Sequence, residues 1–200
     1  MAVSRVKTSS ILQGFPKSRS LLAGNSYYVP PSFESIATTT VGSGGSSSVT
    51  FSSIPQTYTH LQIRALTRAT ALNALVIRYN SDATSGNYKT HNLEGNGATV
   101  TASTGGAVTS YGYIAYPTYS TMNANMFGCS ITDILDYTNT NKNKVSKTLG
   151  SYDTNNTVDG YVTLFSNVWL STAAITNIQI FAQSANFAQY SQIALYGIKG

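Results

Sequence analysis

Short runs of apolar and β-branched residues, separated by turn residues, restrict the fold of this chain more than any other feature. The run from His60 to Leu66 alternates strictly, with Leu61, Ile63 and Ala65 on one face of an extended strand. Such runs recur from about residue 34 to the C-terminus, and no segment carries convincing helical spacing. The pattern therefore predicts an all-β domain, an antiparallel β-sandwich of the jelly-roll type with about ten strands.

The first two predicted strands are separated by Gly42–Ser46, a glycine-rich turn that predicts a hairpin pairing them. The predicted strands are Ser35–Val41, Ser48–Phe51, His60–Leu66, Ala74–Tyr79, Tyr88–Leu93, Tyr111–Ala115, Asn125–Leu135, Lys144–Ser151, Val158–Leu170, Asn177–Ala182 and Ile193–Ile198.

The composition agrees with an ordered β domain of unusually low charge. Charged residues make up 10% of the chain, against the usual quarter, so solubility must come from Ser, Thr, Asn, Gln and Gly. The 14 Tyr and 7 Phe argue against disorder of the whole chain. The missing helices exclude parallel βαβ architectures.

Residues 1–33 differ from the rest and are predicted to form an extended N-terminal arm, leaving residues 34–200 as the β-sandwich domain. Gly14, Pro16 and Gly24 interrupt any long regular element, yet the segment is rich in apolar side chains. Two interpretations stay open: the arm docks on another protein, or it folds back on its own domain. The predicted docking residues are Arg5, Lys7, Ile11, Leu12, Phe15, Lys17, Arg19, Leu21 and Leu22.

The basic arm raises the question of nucleic acid, and apolar runs raise that of a membrane. Nucleic-acid binding ordinarily brings more charge than this chain has, with aromatic residues interleaved, so no nucleic-acid partner is expected. No apolar run has the length of a signal peptide or a membrane span, so no membrane partner is expected and synthesis in a cytoplasm is predicted.

The residues that could carry catalysis do not form a known motif, so the chain is predicted not to be an enzyme. His60 and His91 have no acidic or nucleophilic neighbour at motif spacing. Asp133 and Asp136 would point to opposite sides of a sheet, which does not suit a pair of hydrolytic carboxylates. Cys129 is the only cysteine, and its apolar neighbours predict a buried, inert thiol.

The run Asp153–Gly160 places oxygen ligands at alternate positions, as a calcium loop does. A calcium loop of the EF-hand type would need Gly and Glu where this chain has Val158 and Leu164. Asp, Asn and Gly also build turns without an ion. We therefore expect a turn, with no metal and no cofactor.

Tyrosines are concentrated between residues 111 and 119. Tyr111 and Tyr113 fall on one face of a predicted strand, while Tyr116 and Tyr119 flank a proline that should open a loop. Clustered tyrosines provide rigid, amphipathic contact area at protein interfaces and on sugar platforms. These four residues are the predicted ligand or interface surface, with core packing as the alternative. Trp169 is predicted to be a core residue.

Several stretches of the chain resemble small virion proteins of tailed bacteriophages, of the type found in phages of aquatic bacteria and cyanobacteria. The resemblance covers roughly half of the chain and contains no catalytic motif. The stretches are Ser20–Asn25, Phe33–Thr38, Val41–Gly45, Ser52–Arg64 and Ile193–Ile198.

The resemblance implies a non-enzymatic structural protein of the virion, made in the host bacterial cytoplasm and docked on the tail, neck or fibre apparatus. Its partners would be other virion proteins and further copies of itself. Two alternatives stay open: a decoration protein of the capsid head, and a receptor-recognition module that binds a host surface glycan through Tyr111–Tyr119.

Overall fold

The computed structural model describes residues 32–104, 109–154 and 160–200, and every regular element in these ranges is a β-strand. The strands are β1 (Phe33–Thr40), β2 (Ser48–Phe51), β3 (His60–Ala69), β4 (Leu75–Tyr79), β5 (Tyr88–Gly95), β6 (Val100–Ser103), β7 (Gly112–Ala115), β8 (Thr118–Tyr119), β9 (Gly128–Leu135), β10 (Lys144–Asp153), β11 (Gly160–Trp169), β12 (Ile178–Ala182) and β13 (Gln192–Ile198).

The strands form two antiparallel sheets. The large sheet has nine strands in the order β1-β13-β3-β9-β10-β11-β5-β6, with the short β8 joined in parallel to β3. The small sheet has four strands in the order β2-β12-β4-β7. The predicted all-β class is thus confirmed for the described residues, and the predicted strands coincide closely with the observed ones. Only the short strands β6 and β8 have no counterpart among the predictions.

The main core lies where β3 and β13 of the large sheet face β2, β12 and β4 of the small sheet. The strict alternation predicted for β3 is confirmed, because Leu61 and Ile63 are buried while Arg64 is exposed. Trp169 is 3% exposed and contacts the rings of Tyr79 and Tyr88, which confirms its predicted core position. The buried aliphatic residues of this core include Leu61, Ile63, Leu75, Ile77, Ile178, Ile180, Ile193 and Leu195.

The predicted pairing of the first two strands is wrong. β1 pairs with β13 in the large sheet, whereas β2 pairs with β12 in the small sheet. The glycine-rich stretch between them therefore crosses from one sheet to the other instead of closing a hairpin. Each of the two strands finds a C-terminal partner that places its apolar side chains in the common core.

β7 of the small sheet lies very close to β10 and β11 of the large sheet. A Cβ atom on Gly150 of β10 would stand 2.9 Å from Thr163 Oγ1 and 3.2 Å from Ala115 Cβ. A Cβ atom on Gly112 of β7 would stand 2.9 Å from Asn167 Oδ1. The two 2.9 Å distances are shorter than real Cβ atoms show, and the 3.2 Å distance to Ala115 across the gap is tighter than most, so the gap between the sheets admits only small side chains here.

Next to this narrow gap, the middle parts of strands β9 and β10 depart from the usual pattern in which apolar residues face the core and polar residues face outward. Their inward positions near the middle of each strand hold small residues, among them Thr132 and Thr148, whose hydroxyl groups are 2.8 Å apart and buried, while Ile134 and Tyr152 lie inward nearer the strand ends. Their outward positions hold aliphatic residues, among them Ile131 and Leu149, which are exposed. The more apolar face of these strands therefore points away from the core.

The narrow gap makes a prediction about stability. Substitution Gly150→Val should lower the free energy of unfolding by about 1–3 kcal/mol, because the added methyl groups overpack the gap against Thr163 and Ala115. Ser151→Val is the matched control, since residue 151 is the next one along β10 and faces outward. Urea unfolding followed by Trp169 fluorescence measures both. Equal stability of Gly150→Val and wild type would contradict the packing constraint.

Candidate functional site

Two of the sequence-predicted features fall wholly or mostly outside the described residues. The docking-arm residues Arg5 to Leu22 lie in residues 1–31, which the structure does not describe. Of the calcium-like run, Asp153 ends β10 and pairs with Gly160 at the start of β11, and residues 155–159 between them are outside the described ranges. Within the described residues, no group of three or more His, Cys, Asp or Glu side chains could hold a metal ion.

The histidines and paired aspartates are not brought together as a catalytic group. His60 Nδ1 accepts a hydrogen bond from the backbone N–H of Asp136 and lies 3.6 Å from its carboxylate. Asp136 also pairs with Lys142 at 2.8 Å, and this hydrogen bond lowers the pKa of its carboxyl group. Asp133 faces outward on β9 and accepts a hydrogen bond from Gln62, while His91 faces outward on β5. His60 and Asp136 thus contact each other at the end of β9, whereas Asp133 and His91 lie apart from them on the outward face of the large sheet.

The prediction of a buried thiol at Cys129 is wrong. Cys129 is exposed on the outward face of β9, with its Sγ atom 3.3 Å from Ser151 Oγ on β10. Its apolar sequence neighbours suggested burial, but the apolar side chains of β9 are divided between both faces, and the outward face holds Ile131 and Leu135.

Two cations of the domain hold loops together through backbone carbonyl groups. Lys144 is 1% exposed, and its Nζ atom donates to the carbonyls of Asn139, Lys142 and Thr172 at 2.6–2.9 Å. Burial lowers the pKa of this amine. Arg68 donates to four carbonyls of the loop between β8 and β9, those of Ser120, Met122, Asn123 and Met126. Both side chains are used for structure.

The carboxylate of Asp82 is also held in place by hydrogen bonds. Asp82 accepts hydrogen bonds from Trp169 Nε1 at 2.7 Å, Asn87 Nδ2 at 2.8 Å and the Thr84 backbone N–H at 2.9 Å. Burial tends to raise the pKa of Asp82, but these hydrogen bonds outweigh it and hold the pKa well below its ordinary range.

Glu34 of β1 is held by Tyr58, just before β3, and by Lys199, just after β13. It accepts hydrogen bonds from the Tyr58 hydroxyl at 2.6 Å and from Lys199 Nζ at 3.1 Å. The bond from Tyr58 lowers the pKa of Glu34 most, with Lys199 second, and the same bond raises the pKa of Tyr58 to about 12.

The structure divides the four predicted tyrosines among three places. Tyr111 and Tyr113 are in edge-to-face contact at 5.5 Å on the outward side of the small sheet, as the predicted common face requires. Tyr116 instead packs on Tyr161 and on Phe165 of β11, and burial raises its pKa to about 12. Tyr119 lies on β8, beside β3. The alternative of core packing thus fits Tyr116 best.

The outward side of the small sheet carries a patch that we call the aromatic patch, formed by Tyr111, Tyr113, Phe181, Arg78, Gln179 and Gln183. The Phe181 ring stands edge-to-face with Tyr111 at 5.9 Å, and the Arg78 guanidinium lies over it at 4.9 Å. Gln183 donates a hydrogen bond to the Tyr111 hydroxyl. The sequence segment 111–119 indicates only the two tyrosines, because the other members come from β4, β12 and the residues after β12.

A second surface covers the outward side of the large sheet. Along one row of neighbouring strands stand Ile131, Leu149, Leu164 and Leu93, and the adjoining rows add Val162, which is 62% exposed. We call this surface the aliphatic face. Its exposed large aliphatic residues are Leu66, Leu93, Val100, Ile131, Leu135, Val145, Leu149, Val162 and Leu164. The sequence signal was a set of strands with apolar residues at outward positions and Ser or Thr at inward ones.

No protein family model, no curated protein and no solved structure matches this chain. Among the residues that the structure describes, no helix is long and apolar enough to cross a membrane.

The Asp82 network predicts a specific loss of stability in acid. A carboxyl group with a depressed folded-state pKa stabilises the fold above its unfolded pKa of about 4, and this contribution is lost as the pH falls below that value. The urea midpoint of wild type should therefore decline from about pH 4 downward. Asp82→Asn should have a lower midpoint at pH 7 and a shallower acid decline.

Fluorescence of Trp169, the only tryptophan, measures these midpoints. Asp133→Asn removes the same charge while leaving the Asp82 network intact, and serves as the control. An unchanged acid decline in Asp82→Asn would show that the network does not contribute.

Proposed function

We propose that the protein is a non-enzymatic structural subunit of a tailed-bacteriophage virion. In this proposal residues 1–33 are a docking arm that attaches it to the tail, neck or fibre apparatus, and the remaining chain is a jelly-roll-like β-sandwich exposed on the particle. The observation that carries the assembly role is the aliphatic face. A row of adjoining exposed aliphatic residues on four consecutive strands is typical of a protein that functions with part of its surface covered.

The use of the charged residues supports a structural role. Arg68, Lys144, Asp82 and Glu34 are all engaged by backbone groups or by neighbouring side chains. Catalytic groups need freedom to contact a substrate, and here these groups hold loops and strand ends. The location in a phage virion is supported by the sequence resemblance, and the assembly role by the surface.

The arm gives the first test of this proposal. The paired substitution Leu12→Asp and Phe15→Asp should lower the copy number of the protein in purified phage particles by at least about tenfold, because two apolar anchors are lost. Ser9→Asp with Ser18→Asp adds the same charge to the arm without removing apolar surface. Quantitative immunoblots of particles measure the copy number, and electron microscopy locates the protein on the particle.

Incorporation of the Leu12→Asp, Phe15→Asp variant at the wild-type level would overturn the docking role of the arm. A location on the head rather than on the tail, neck or fibre would replace the proposed site by the capsid-decoration alternative.

A second candidate function is binding of a host surface glycan, and the aromatic patch favours it. Half-exposed rings beside amide and guanidinium groups combine a stacking surface for sugar rings with hydrogen-bond donors and acceptors for hydroxyl groups. Tyr113, Phe181 and Arg78 lie within one such group. A subunit at the tip of a fibre could carry both functions.

Glycan binding is tested by an array of bacterial surface polysaccharides followed by calorimetric titration of any positive glycan. Tyr113→Ala and Phe181→Ala should each weaken binding by about tenfold or more, because a stacking ring is lost. Tyr119→Ala, outside the aromatic patch, should bind as wild type does. A blank array and a blank titration would remove this candidate.

A further inference from the structure

We infer that the aliphatic face binds a second copy of the same chain, face to face, about a two-fold axis that runs along the strands between β10 and β11. This inference deepens the proposed function and rests on it only in treating the chain as an assembly subunit. It names the surface and the partner of one contact in that assembly.

The inverted alternation of β9 and β10 shows that the aliphatic face is more than scattered exposure. Single exposed apolar residues are normal on a protein surface. Here they stand next to each other in consecutive strands, because Ile131 pairs with Leu149, Leu149 with Leu164, and Leu164 with Leu93. Such an arrangement would normally be the buried side of a sheet.

The size of the face suits a stable protein interface. Each outward residue of a sheet occupies a cell of about 4.8 Å by about 6.8 Å, so the whole outward side of β3, β9, β10, β11, β5 and β6, with about twenty positions that include polar and charged residues, covers roughly 700 Å². A standard interface buries about 800 Å² on each partner. The face is thus large enough to need a partner of comparable area, such as a second sheet, since sheets pack face to face about 10 Å apart.

The row of four aliphatic residues is symmetric about the boundary between β10 and β11. Rotation about an axis along that boundary places β10 over β11 of the second copy and β9 over β5. Leu149 then meets Leu164, and Ile131 meets Leu93, each contact occurring twice as an isologous interface requires. Strand twist offsets the outermost positions but leaves these central contacts.

The charged residues in the row beside the aliphatic one are also compatible with a two-fold axis between β10 and β11. In the row beside the aliphatic one, Asp133 and Lys147 are register partners, and Ser166 and His91 continue the row. The rotation places Asp133 opposite His91 and Lys147 opposite Ser166. No two like charges meet across these positions, and the same register places Arg64 opposite Ala102 and Lys89 opposite Leu135, where each meets an uncharged residue.

The outer part of the face offers a matching projection and recess. Val100 on β6 is 75% exposed, the largest exposure among the large apolar residues of the described chain. A hollow of about 300 Å³ opens around Arg64, Leu66 and Cys129 on the opposite side of the axis. The rotation places Val100 of one copy over this hollow in the other.

The full-length protein is tested by sedimentation velocity across a concentration series from about 1 µM to about 100 µM, the range expected for an interface without extensive polar contacts. Wild type should pass from monomer to dimer in this range. Leu149→Asp should weaken association at least about tenfold, because it puts a charge into the apolar centre of the contact. Leu72→Asp is the control, since Leu72 is 65% exposed in the loop between β3 and β4, away from the face.

A second pair of variants tests the axis with little risk to folding. His91→Asp should weaken association because two aspartates then face each other, and the double variant His91→Asp with Asp133→His should restore it. Association of the double variant no better than that of His91→Asp would overturn the axis.

Cys129 supplies an independent readout, because it is the only thiol of the chain and is exposed on the aliphatic face. Its rate of reaction with a maleimide should fall in proportion to the dimer fraction as the protein concentration rises. A fast rate at all concentrations would overturn the inference. So would a slow rate that does not depend on concentration, since that result would mean that residues 1–31 of the same chain cover the face.

The remaining outcomes also decide the question. A monomer throughout the series, or a dimer unaffected by Leu149→Asp, would overturn the inference. In the second case the exposed edge strands β1 and β6 would be the place of contact. Incorporation of the arm variants into phage particles is measured in a separate experiment. The proposed function and this inference can therefore fail independently.

Discussion

The close approach of β7 to β10 and β11 is the constraint on which the described surfaces depend. Because a Cβ atom fits neither at Gly112 nor at Gly150, the middle of the inner side of β9 and β10 holds glycine and small hydroxyl residues, among them Thr132 and Thr148. At these middle positions the aliphatic residues, Ile131 and Leu149, lie on the outer side, whereas Ile134 near the end of β9 is buried inside. The small inner side chains and the apolar outer surface of β9 and β10 thus have the same cause, which is the close approach of β7.

The small number of charged residues is the second feature that determines how the domain is stabilised. In the described ranges three ion pairs occur, involving His60, Asp136, Lys142, Lys199 and Glu34. Surface pairs of this kind contribute little to stability. The charged groups that matter most bind backbone carbonyl or N–H groups instead, as Lys144 and Asp82 do. The best-engaged charged groups of this domain therefore fix loops at the ends of the sheets.

The positions of the strands could be predicted from the sequence because alternation and turn residues are local signals. Pairing could not, since β1 finds its partner in β13 at the far end of the chain, and a glycine-rich loop permits either a hairpin or a crossing. Burial was predicted correctly for Trp169 and wrongly for Cys129. The second failure has a physical cause: where both faces of a sheet carry apolar residues, composition no longer tells inside from outside.

The candidate surfaces were predictable only where their residues are close in sequence. Tyr111 and Tyr113 were identified from their spacing, and the structure places them on one patch. Phe181 and Arg78 join them from distant strands without any local signal. Tyr116 and Tyr119, although near in sequence, are carried elsewhere when the chain turns after β7.

The pairing of Phe33 with Ile198 places the two ends of the described domain side by side on neighbouring strands. A few residues could join these ends without disturbing any ladder, so the domain suits circular permutation, with new ends opened in one of the loops. A dye fixed at Gly200 would likewise lie beside Ser32, the first described residue, because the Lys199 backbone N–H donates to the Ser32 carbonyl group at 2.9 Å.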